Sequence, residues 1–207
     1  MSALPIAILA SGEGTNLQAL LDGPAAEGVV RIVGVASDRV DAPALGRAEA
    51  AGIPTGRFPA SEYVDRAARD LALADWLEGQ GAELIVSAGY MQLLDPLFIE
   101  RFGERIINVH PSLLPRFPGM DAIGQALEAG ASETGVTVHF VDEGTDTGPV
   151  IVQRAVPIRP GVEREELERE VHAVEHQLFP EAIGMVARGE VRIADHDPGQ
   201  VIIERGG

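Results

Sequence analysis

Short apolar runs recur along this chain, and each is followed by a turn and then by a segment with apolar residues at helical spacing. The runs that precede residue 110 are Ile6–Ala10, Val29–Ser37, Leu84–Ala88 and Ile106–Ile107. Strands that are apolar on both faces are typical of a parallel sheet covered by helices. We therefore predict an α/β fold, with a doubly wound, mostly parallel, Rossmann-like sheet and helices on both faces.

The helices and the last strands are predicted from periodicity and from capping residues. Apolar spacing predicts helices over 17–21, 43–51, 61–80, 96–101, 121–129 and 163–188, and we expect the last to break near Pro180. We expect Thr15 and Asn16 to cap the first of these helices and Ser61 to cap the third. Strict alternation predicts a strand over 134–141, another strand begins at Val150, and 191–203 has the pattern of a peripheral hairpin.

Charge and residue content exclude several classes of protein. The 207 residues carry a formal net charge of −16, which argues against a general nucleic-acid binder. The chain has no cysteine, so disulfides, thiolate catalysis and cysteine-ligated zinc are excluded. The chain has no lysine, so catalysis through a lysine Schiff base is excluded. Without a signal sequence or an apolar run of membrane-spanning length, we expect a cytoplasmic protein with no membrane partner.

The turn after the first strand has the composition of an anion site. Backbone N–H groups converge at a helix N-terminus, glycines allow close approach, and short polar side chains donate to a phosphate. The residues expected to do so are Gly12, Gly14, Thr15 and Asn16. The dinucleotide-binding motif G-x-G-x-x-G is an alternative that fits in part. Asp38 at the end of the next strand agrees with it, but Leu17 occupies the third glycine position. A purely structural turn is the remaining alternative.

Asn108 and His110 stand two residues apart where a buried strand meets Pro111. Residues two apart on a strand project to the same side, and ligands of open α/β sheets bind at the carboxyl ends of strands. An amide can donate to an oxyanion, and an imidazole can exchange a proton near neutral pH. The alternative is a satisfied buried polar pair. His139, on an alternating strand, is most simply a packed or cross-strand histidine.

A third candidate is Asp146, which lies in a glycine-flanked acidic turn, where a turn-stabilising aspartate is an equally plausible interpretation. No cysteine and no serine elbow is present to form an acyl-enzyme. The remaining possibility is direct transfer of an acyl group to a nucleophile that is already present in a substrate. Asn108 and His110 would stabilise the oxyanion of a tetrahedral intermediate, and Asp146 would keep the imidazole competent as acid and base.

Two further segments carry possible chemistry. The loop Gly89–Leu94 is apolar, so it is either covered by the fold or lines a pocket for a flat apolar ligand. His172-Ala-Val-Glu-His176 matches a zinc-protease motif, but candidates for a third ligand are few, and we predict no metal.

Six motifs, in order over nearly the whole chain, resemble the phosphoribosylglycinamide formyltransferase family of folate-dependent enzymes. They are Ser11–Gln18, Ala88–Leu94, Asn108–Pro115, Thr134–Val141, Asp146–Ile151 and Glu175-His176. The resemblance implies one formyltransferase domain over 1–207, with a nucleotide- or phosphate-binding half (1–105), a catalytic and folate-binding half (106–190) and a peripheral tail (191–207).

The resemblance also implies substrates and roles. Glycinamide ribonucleotide would be held by Gly12, Gly14, Thr15, Asn16, His172 and Glu175. The co-substrate 10-formyltetrahydrofolate would be held by Arg66, Met91, Gln92, Leu93, Leu94, Asn108, Asp142 and Asp146. Asn108, His110 and Asp146 would be catalytic, in a monomer or homodimer that belongs to purine biosynthesis.

Related enzymes share the Asn-x-His and Asp arrangement, so two alternatives stay open: a formyltetrahydrofolate deformylase and a non-catalytic nucleotide-binding module. Deformylases usually have a regulatory domain first, whereas this chain starts at a strand; tRNA formyltransferases have a basic C-terminal domain, which is not expected here. The sequence departs from the family at Asp121, near which histidine is common, and at Gln92, where arginine is common.

Overall fold

A computed structural model describes residues 2–194 and 196–204 of the chain. It divides into two units, residues up to Ile107 and residues from Asn108 onward, which are described separately. The prediction of one domain with halves at 105/106 stays a prediction.

Among the described residues, the first unit contains four complete strands of a parallel sheet and four α-helices. They are β1 (Leu4–Leu9), α1 (Thr15–Leu20), β2 (Val30–Ser37), α2 (Pro43–Ala50), β3 (Thr55–Arg57), α3 (Arg66–Gly79), β4 (Leu84–Ser87) and α4 (Pro96–Phe102). The strand order is β3-β2-β1-β4, and β1 pairs in parallel with both β2 and β4. The order reverses direction at β1, so the loops after β1 and β4 lie at a topological switch point, where open α/β sheets bind ligands.

A fifth strand, β5 (Ile106–His110), begins in the first unit and ends in the second. The second unit continues with α5 (Ala122–Glu128), β6 (Glu133–Phe140), β7 (Val150–Pro157), α6 (Arg164–Ala187), β8 (Val191–Ala194) and β9 (Asp197–Ile203). Strands β6 and β7 are antiparallel, as are β8 and β9 of the terminal hairpin. The predicted α/β fold with a mostly parallel sheet is confirmed.

The apolar runs form the core, as their sequence requires. Ile6, Ile8 and Leu9 of β1 and Ile106 and Ile107 of β5 are fully buried. Burial on both faces of these strands follows from helices that cover the sheet. Among residues 2–194 and 196–204, no helix combines the length and apolarity needed to cross a membrane.

Three local predictions were wrong: the start of α3, the break in α6 and the cap of α1. Helix α3 begins at Arg66 rather than near Ser61, because the carboxylate of Asp65 accepts the Ala68 N–H at 2.8 Å and provides the cap. Helix α6 continues through Pro180, because packing holds it although the proline removes one backbone donor. The residues around that proline, Leu178, Phe179, Ala182 and Ile183, are buried.

Helix α1 was also capped differently from the prediction. Its N-cap is Gly14 in the left-handed conformation, with φ 73° and ψ 29°, and no side chain caps it. A Cβ at this position would lie 2.8 Å from the Cα of Ala44, so the loop passes α2 too closely for any other residue. The helix therefore begins with a left-handed glycine rather than with a side-chain cap from Thr15 or Asn16.

Candidate active site

Asn108 and His110 project from the carboxyl end of β5, where Pro111 ends the strand as predicted. His110 is 5% exposed, and Asn108 is half-buried. The Nε2 of His110 lies 2.9 Å from the carbonyl oxygen of Phe117. Residue 117 has a positive φ of 55°, a conformation that is uncommon for a large side chain and that turns its carbonyl within reach of this ring.

The third predicted catalytic residue, Asp146, lies beside this histidine. Its Oδ2 is 3.4 Å from Nδ1 of His110, close enough for an electrostatic contact. The same oxygen accepts the backbone N–H of Gly119 at 2.7 Å. Asp146 itself has a φ of 55°, so the tight turn expected from its glycine neighbours is present. The structure thus brings all three predicted catalytic side chains into one cluster of the second unit.

Oxygen atoms face both ring nitrogens of His110: the Phe117 carbonyl on one side and the Asp146 carboxylate on the other. The Phe117 carbonyl can only accept and lies within hydrogen-bond distance, so Nε2 carries a proton, while Asp146 is at electrostatic-contact distance from Nδ1. An imidazole in this setting can hold a proton that it later gives to a substrate.

The predicted catalytic residues did not include a fourth member of the cluster, His139, which the sequence analysis interpreted as a packed or cross-strand histidine. His139 is 2% exposed on β6, with Nε2 3.3 Å from Nδ2 of Asn108 and 3.7 Å from Oδ1 of Asp146. Its Nδ1 lies 2.8 Å from the Phe140 carbonyl, which can only accept, so Nδ1 carries the proton and Nε2 is the acceptor. The Asn108 amide therefore donates to His139, which fixes its orientation.

Burial lowers the pKa of His139 below its ordinary value of 6.5, and this effect exceeds the opposing influences of the Phe140 carbonyl and Asp146. A neutral His139 is what the Asn108 amide requires as an acceptor. The sequence signals were the alternation of β6 and the place of His139 within the motif Thr134–Val141, and neither showed which side chain His139 would contact.

In the first unit, the predicted phosphate loop follows β1. Thr15 and Gly12 are exposed, whereas Asn16 is largely buried. The carbonyl of Gly12 accepts the N–H of Ala44 at 3.1 Å, so α2 supports the loop from behind. Asp38, which the dinucleotide interpretation would use for a ribose, instead binds Ser11 and Gln92 through its two oxygens.

The predicted folate loop follows β4 in the same unit. Met91 is 59% and Leu93 is 64% exposed, an unusual exposure for two large apolar residues so close in the sequence. A cavity of about 250 Å³ adjoins this loop and is lined by Ala60, Tyr63, Val64, Asp65, Arg66, Arg69 and Gln92. Arg66 lines this cavity, with its Nε 3.5 Å from Oδ2 of Asp95.

The remaining candidates lie in the second unit. Glu175 is buried in α6, and His172 is exposed one turn earlier. Asp142 is held within its turn, where its Oδ1 accepts bonds from Gly144 N and Thr147 Oγ1. Among the described residues, no group of three His, Asp or Glu side chains is placed to hold a metal ion.

The departure at Asp121 has a structural explanation. Asp121 caps α5 by accepting the Gly124 N–H, and it pairs with Arg164 at 2.6 Å. This ion pair, aided by the cap, lowers the pKa of the Asp121 carboxyl. Asp121 therefore serves the start of α5 and contacts none of the four clustered side chains among the bonds described.

Comparison with known proteins identifies the class to which this fold and cluster belong. The family model for formyl transferases matches residues 4–183, and the chain belongs to that family. It is 40% identical over 192 residues to the phosphoribosylglycinamide formyltransferase of Haemophilus influenzae, covering 92% of this chain and 91% of that protein.

Two further relatives place it more closely. It is similar to the glycinamide ribonucleotide transformylase 1 structure from Symbiobacterium toebii, with a TM-score of 0.93, 44% identity and coverage of 99% and 95% of the two chains. It is 45% identical over 190 residues to the trifunctional purine biosynthetic protein adenosine-3 of Drosophila pseudoobscura pseudoobscura. That match covers 90% of this chain but only 14% of the longer protein.

Proposed function

We propose that this chain transfers the formyl group of 10-formyltetrahydrofolate to the amine of glycinamide ribonucleotide, a step of purine biosynthesis. One observation carries the proposal: Asn108, His110, His139 and Asp146 form a single cluster with an amide donor and an imidazole side by side. Binding a nucleotide alone would not require this cluster. Similarity to the Haemophilus influenzae phosphoribosylglycinamide formyltransferase and the Symbiobacterium toebii glycinamide ribonucleotide transformylase 1 supports the choice of formyl acceptor.

The reaction follows from what these side chains can donate and accept. The substrate amine attacks the formyl carbon, and the carbonyl electrons move onto its oxygen. One N–H of Asn108 is already bound to His139, which leaves the second free to donate to this oxyanion. Breaking the bond from carbon to N10 of folate then completes the transfer. The amine loses one proton and the departing folate nitrogen gains one.

His110 is the group that can move this proton, and Asp146 supports it. A negative carboxylate 3.4 Å from Nδ1 stabilises the charged imidazolium formed when the amine is deprotonated. The Nε2 of His110 faces the Phe117 carbonyl, so a substrate atom that uses this nitrogen must replace that acceptor.

Substrate binding is assigned by the same proposal. Gly12, Gly14, Thr15 and Asn16 would hold the phosphate, and His172 and Glu175 would hold the rest of the ribonucleotide. Met91, Gln92, Leu93 and Leu94 would hold the folate ring, with Asp142 and Asp146 also on this co-substrate. The exposure of Met91 and Leu93 supports this assignment, because a flat apolar ligand would remove their surface from water.

Arg66 would pair with the anionic tail of folate. The net charge of −16 on the chain would otherwise repel this tail. We propose small-molecule substrates only, a cytoplasmic location, and a monomer or homodimer.

The experiment that tests the function is a folate-release assay with the purified protein. We expect tetrahydrofolate to appear from 10-formyltetrahydrofolate only when glycinamide ribonucleotide is present. Equal release without the ribonucleotide would mean hydrolysis, as in a deformylase. No release under either condition, with ribonucleotide bound, would mean a binding module.

A further inference from the structure

A continuous set of side-chain hydrogen bonds joins the two loops of the first unit that we propose bind substrates. The Oγ of Ser11, at the start of the glycine loop (11–16), donates to Oδ1 of Asp38 at 2.5 Å and accepts the Met91 N–H at 2.8 Å. The Nε2 of Gln92 donates to the other oxygen of Asp38 at 2.9 Å. Asp38 thus connects the glycine loop with the folate loop (89–95).

The folate loop is also held from α3. Nη1 of Arg69 donates to Oε1 of Gln92 at 3.0 Å, and Nη2 lies 3.5 Å from the carbonyl oxygen of Leu93. Arg69 is 2% exposed and pairs with the fully buried Asp70, whose second oxygen accepts the Asp95 N–H at 2.7 Å. The loop is therefore anchored along its length by one connected network.

Arg69 on one side and Asp38 on the other fix the direction of the two hydrogen bonds that the Gln92 amide makes. A guanidinium can only donate, and an ionised carboxylate can only accept. The Gln92 amide must therefore turn Oε1 toward Arg69 and Nε2 toward Asp38. A side chain at position 92 that could only donate would meet the donors of Arg69, which gives glutamine a specific use here.

We propose that Asp38 and Gln92 are positioning residues for the formyl donor. They hold the folate loop against the glycine loop so that the exposed Met91 and Leu93 side chains keep the arrangement that receives the folate ring. This inference rests on the proposed function, since it assumes that the loop binds folate. Neither residue is given a role at the reacting atoms.

Single substitutions should each weaken the link between these two residues. Asp38→Asn removes the charge that strengthens the bond, and the asparagine can accept from Gln92 only by turning its amide donor toward the Ser11 hydroxyl, which now donates to the Asp38 carboxylate. Gln92→Glu places two carboxylates against each other. The link is solvent-exposed on the Gln92 side, so we expect each change to raise the KM for 10-formyltetrahydrofolate roughly threefold to tenfold.

The double variant Asp38→Asn with Gln92→Glu provides the decisive comparison. Its asparagine can accept from Ser11 and donate to the new glutamate, which still accepts from Arg69. Every bond is restored with one donor and one acceptor exchanged, and the net charge equals that of the original protein. We expect the KM for the folate to return to within about twofold of the original value.

The measurement is steady-state kinetics with both substrates varied, together with thermal unfolding of each variant. Asp41→Asn and Gln200→Glu are matched controls, because they make the same chemical changes at exposed positions outside the network. Both controls should leave both KM values unchanged. We expect kcat and the KM for the ribonucleotide to change less than the KM for the folate in the single variants.

Unchanged folate KM in both single variants would overturn the proposal, and so would a double variant no better than the worse single. A purely structural role would lower the melting temperature of the single variants without this pattern of rescue in KM. Failure of the proposed function is distinguishable, because the unsubstituted protein would then show no ribonucleotide-dependent transfer at all.

Discussion

The carboxylate oxygen Oδ2 of Asp146 lies 3.4 Å from Nδ1 of His110, and the same oxygen accepts the backbone N–H of Gly119, which is 27 residues earlier in the chain. A backbone N–H holds one carboxylate oxygen, so the side chain cannot turn freely away from the imidazole. Residue 146 adopts a positive φ to make this approach, and residue 117 does the same on the opposite side of the ring. Strained backbone on both sides of one histidine is the pattern expected at a functional site.

We predict that Asp146→Asn lowers kcat by roughly a hundredfold to ten-thousandfold, because an amide removes the negative charge that supports the imidazolium. The asparagine carbonyl oxygen can still accept the Gly119 N–H, so the fold should be retained. The check is kcat with saturating substrates, with the melting temperature as a control for folding. A kcat within a few-fold of the original would remove Asp146 from the mechanism.

We predict that His110→Ala abolishes most turnover while glycinamide ribonucleotide binds almost unchanged, since the phosphate is assigned to the glycine loop. Loss of an acid–base group typically lowers the rate by about a hundredfold or more. Calorimetric titration with the ribonucleotide and an activity assay separate the two effects. Full activity in this variant would refute the assignment.

We predict a pH-dependent stability that originates in part from His139. Burial lowers its pKa in the folded state, so the unfolded chain binds a proton more readily, and stability must rise with pH across this range. The contribution of His139 to the free energy of unfolding is complete above its ordinary pKa of 6.5 and is lost as the pH falls through its lower pKa in the folded protein. Urea unfolding at pH 7.5 and at pH 5.5 measures this difference.

The matched variant is His139→Gln, which removes the titrating group and keeps an acceptor for Asn108. We expect its free energy of unfolding to change less between the two pH values than that of the original protein. Burial and His172 also lower the pKa of His176, so His176→Gln is measured in parallel, and the double variant should be the least pH-dependent. A pH dependence identical in all four proteins would contradict the prediction.

We predict that Gly14→Ala destabilises the fold by about 1 to 3 kcal/mol, because an L-residue is strained at a φ of 73° and its Cβ would lie 2.8 Å from Ala44. Gly46→Ala is the control, since a Cβ there meets no atom within 4 Å and lies within α2. That change should raise stability by about 0.5 to 1 kcal/mol. Chemical unfolding of both variants tests the contrast, and equal effects at the two glycines would contradict it.

The sequence was most informative where the local pattern and the tertiary structure agree. The apolar runs became strands, and Pro111 ended β5 directly after His110, so the amide and imidazole lie where expected. The predictions failed where a competing local contact decided the outcome. Asp65 capped α3 in place of Ser61, and packing of α6 outweighed the effect of Pro180.

His139 shows why part of the candidate site could not be predicted. Its alternation on β6 gave a buried side chain, but its role depends on Nε2 meeting an amide 31 residues away. Such a pairing arises from strand order and register, which single-sequence patterns do not specify. The link from Asp38 to Gln92 was hidden for the same reason, because its members come from separate segments.

Formyl transfer itself can be followed most directly with 10-formyltetrahydrofolate carrying a ¹³C-labelled formyl carbon, incubated with glycinamide ribonucleotide and the purified protein. Direct attack at the carbon held by Asn108 and His110 predicts a ¹³C NMR signal of a formamide on the ribonucleotide, in equal amount to the tetrahydrofolate released. Label recovered as free formate, with the ribonucleotide unmodified, would contradict the account.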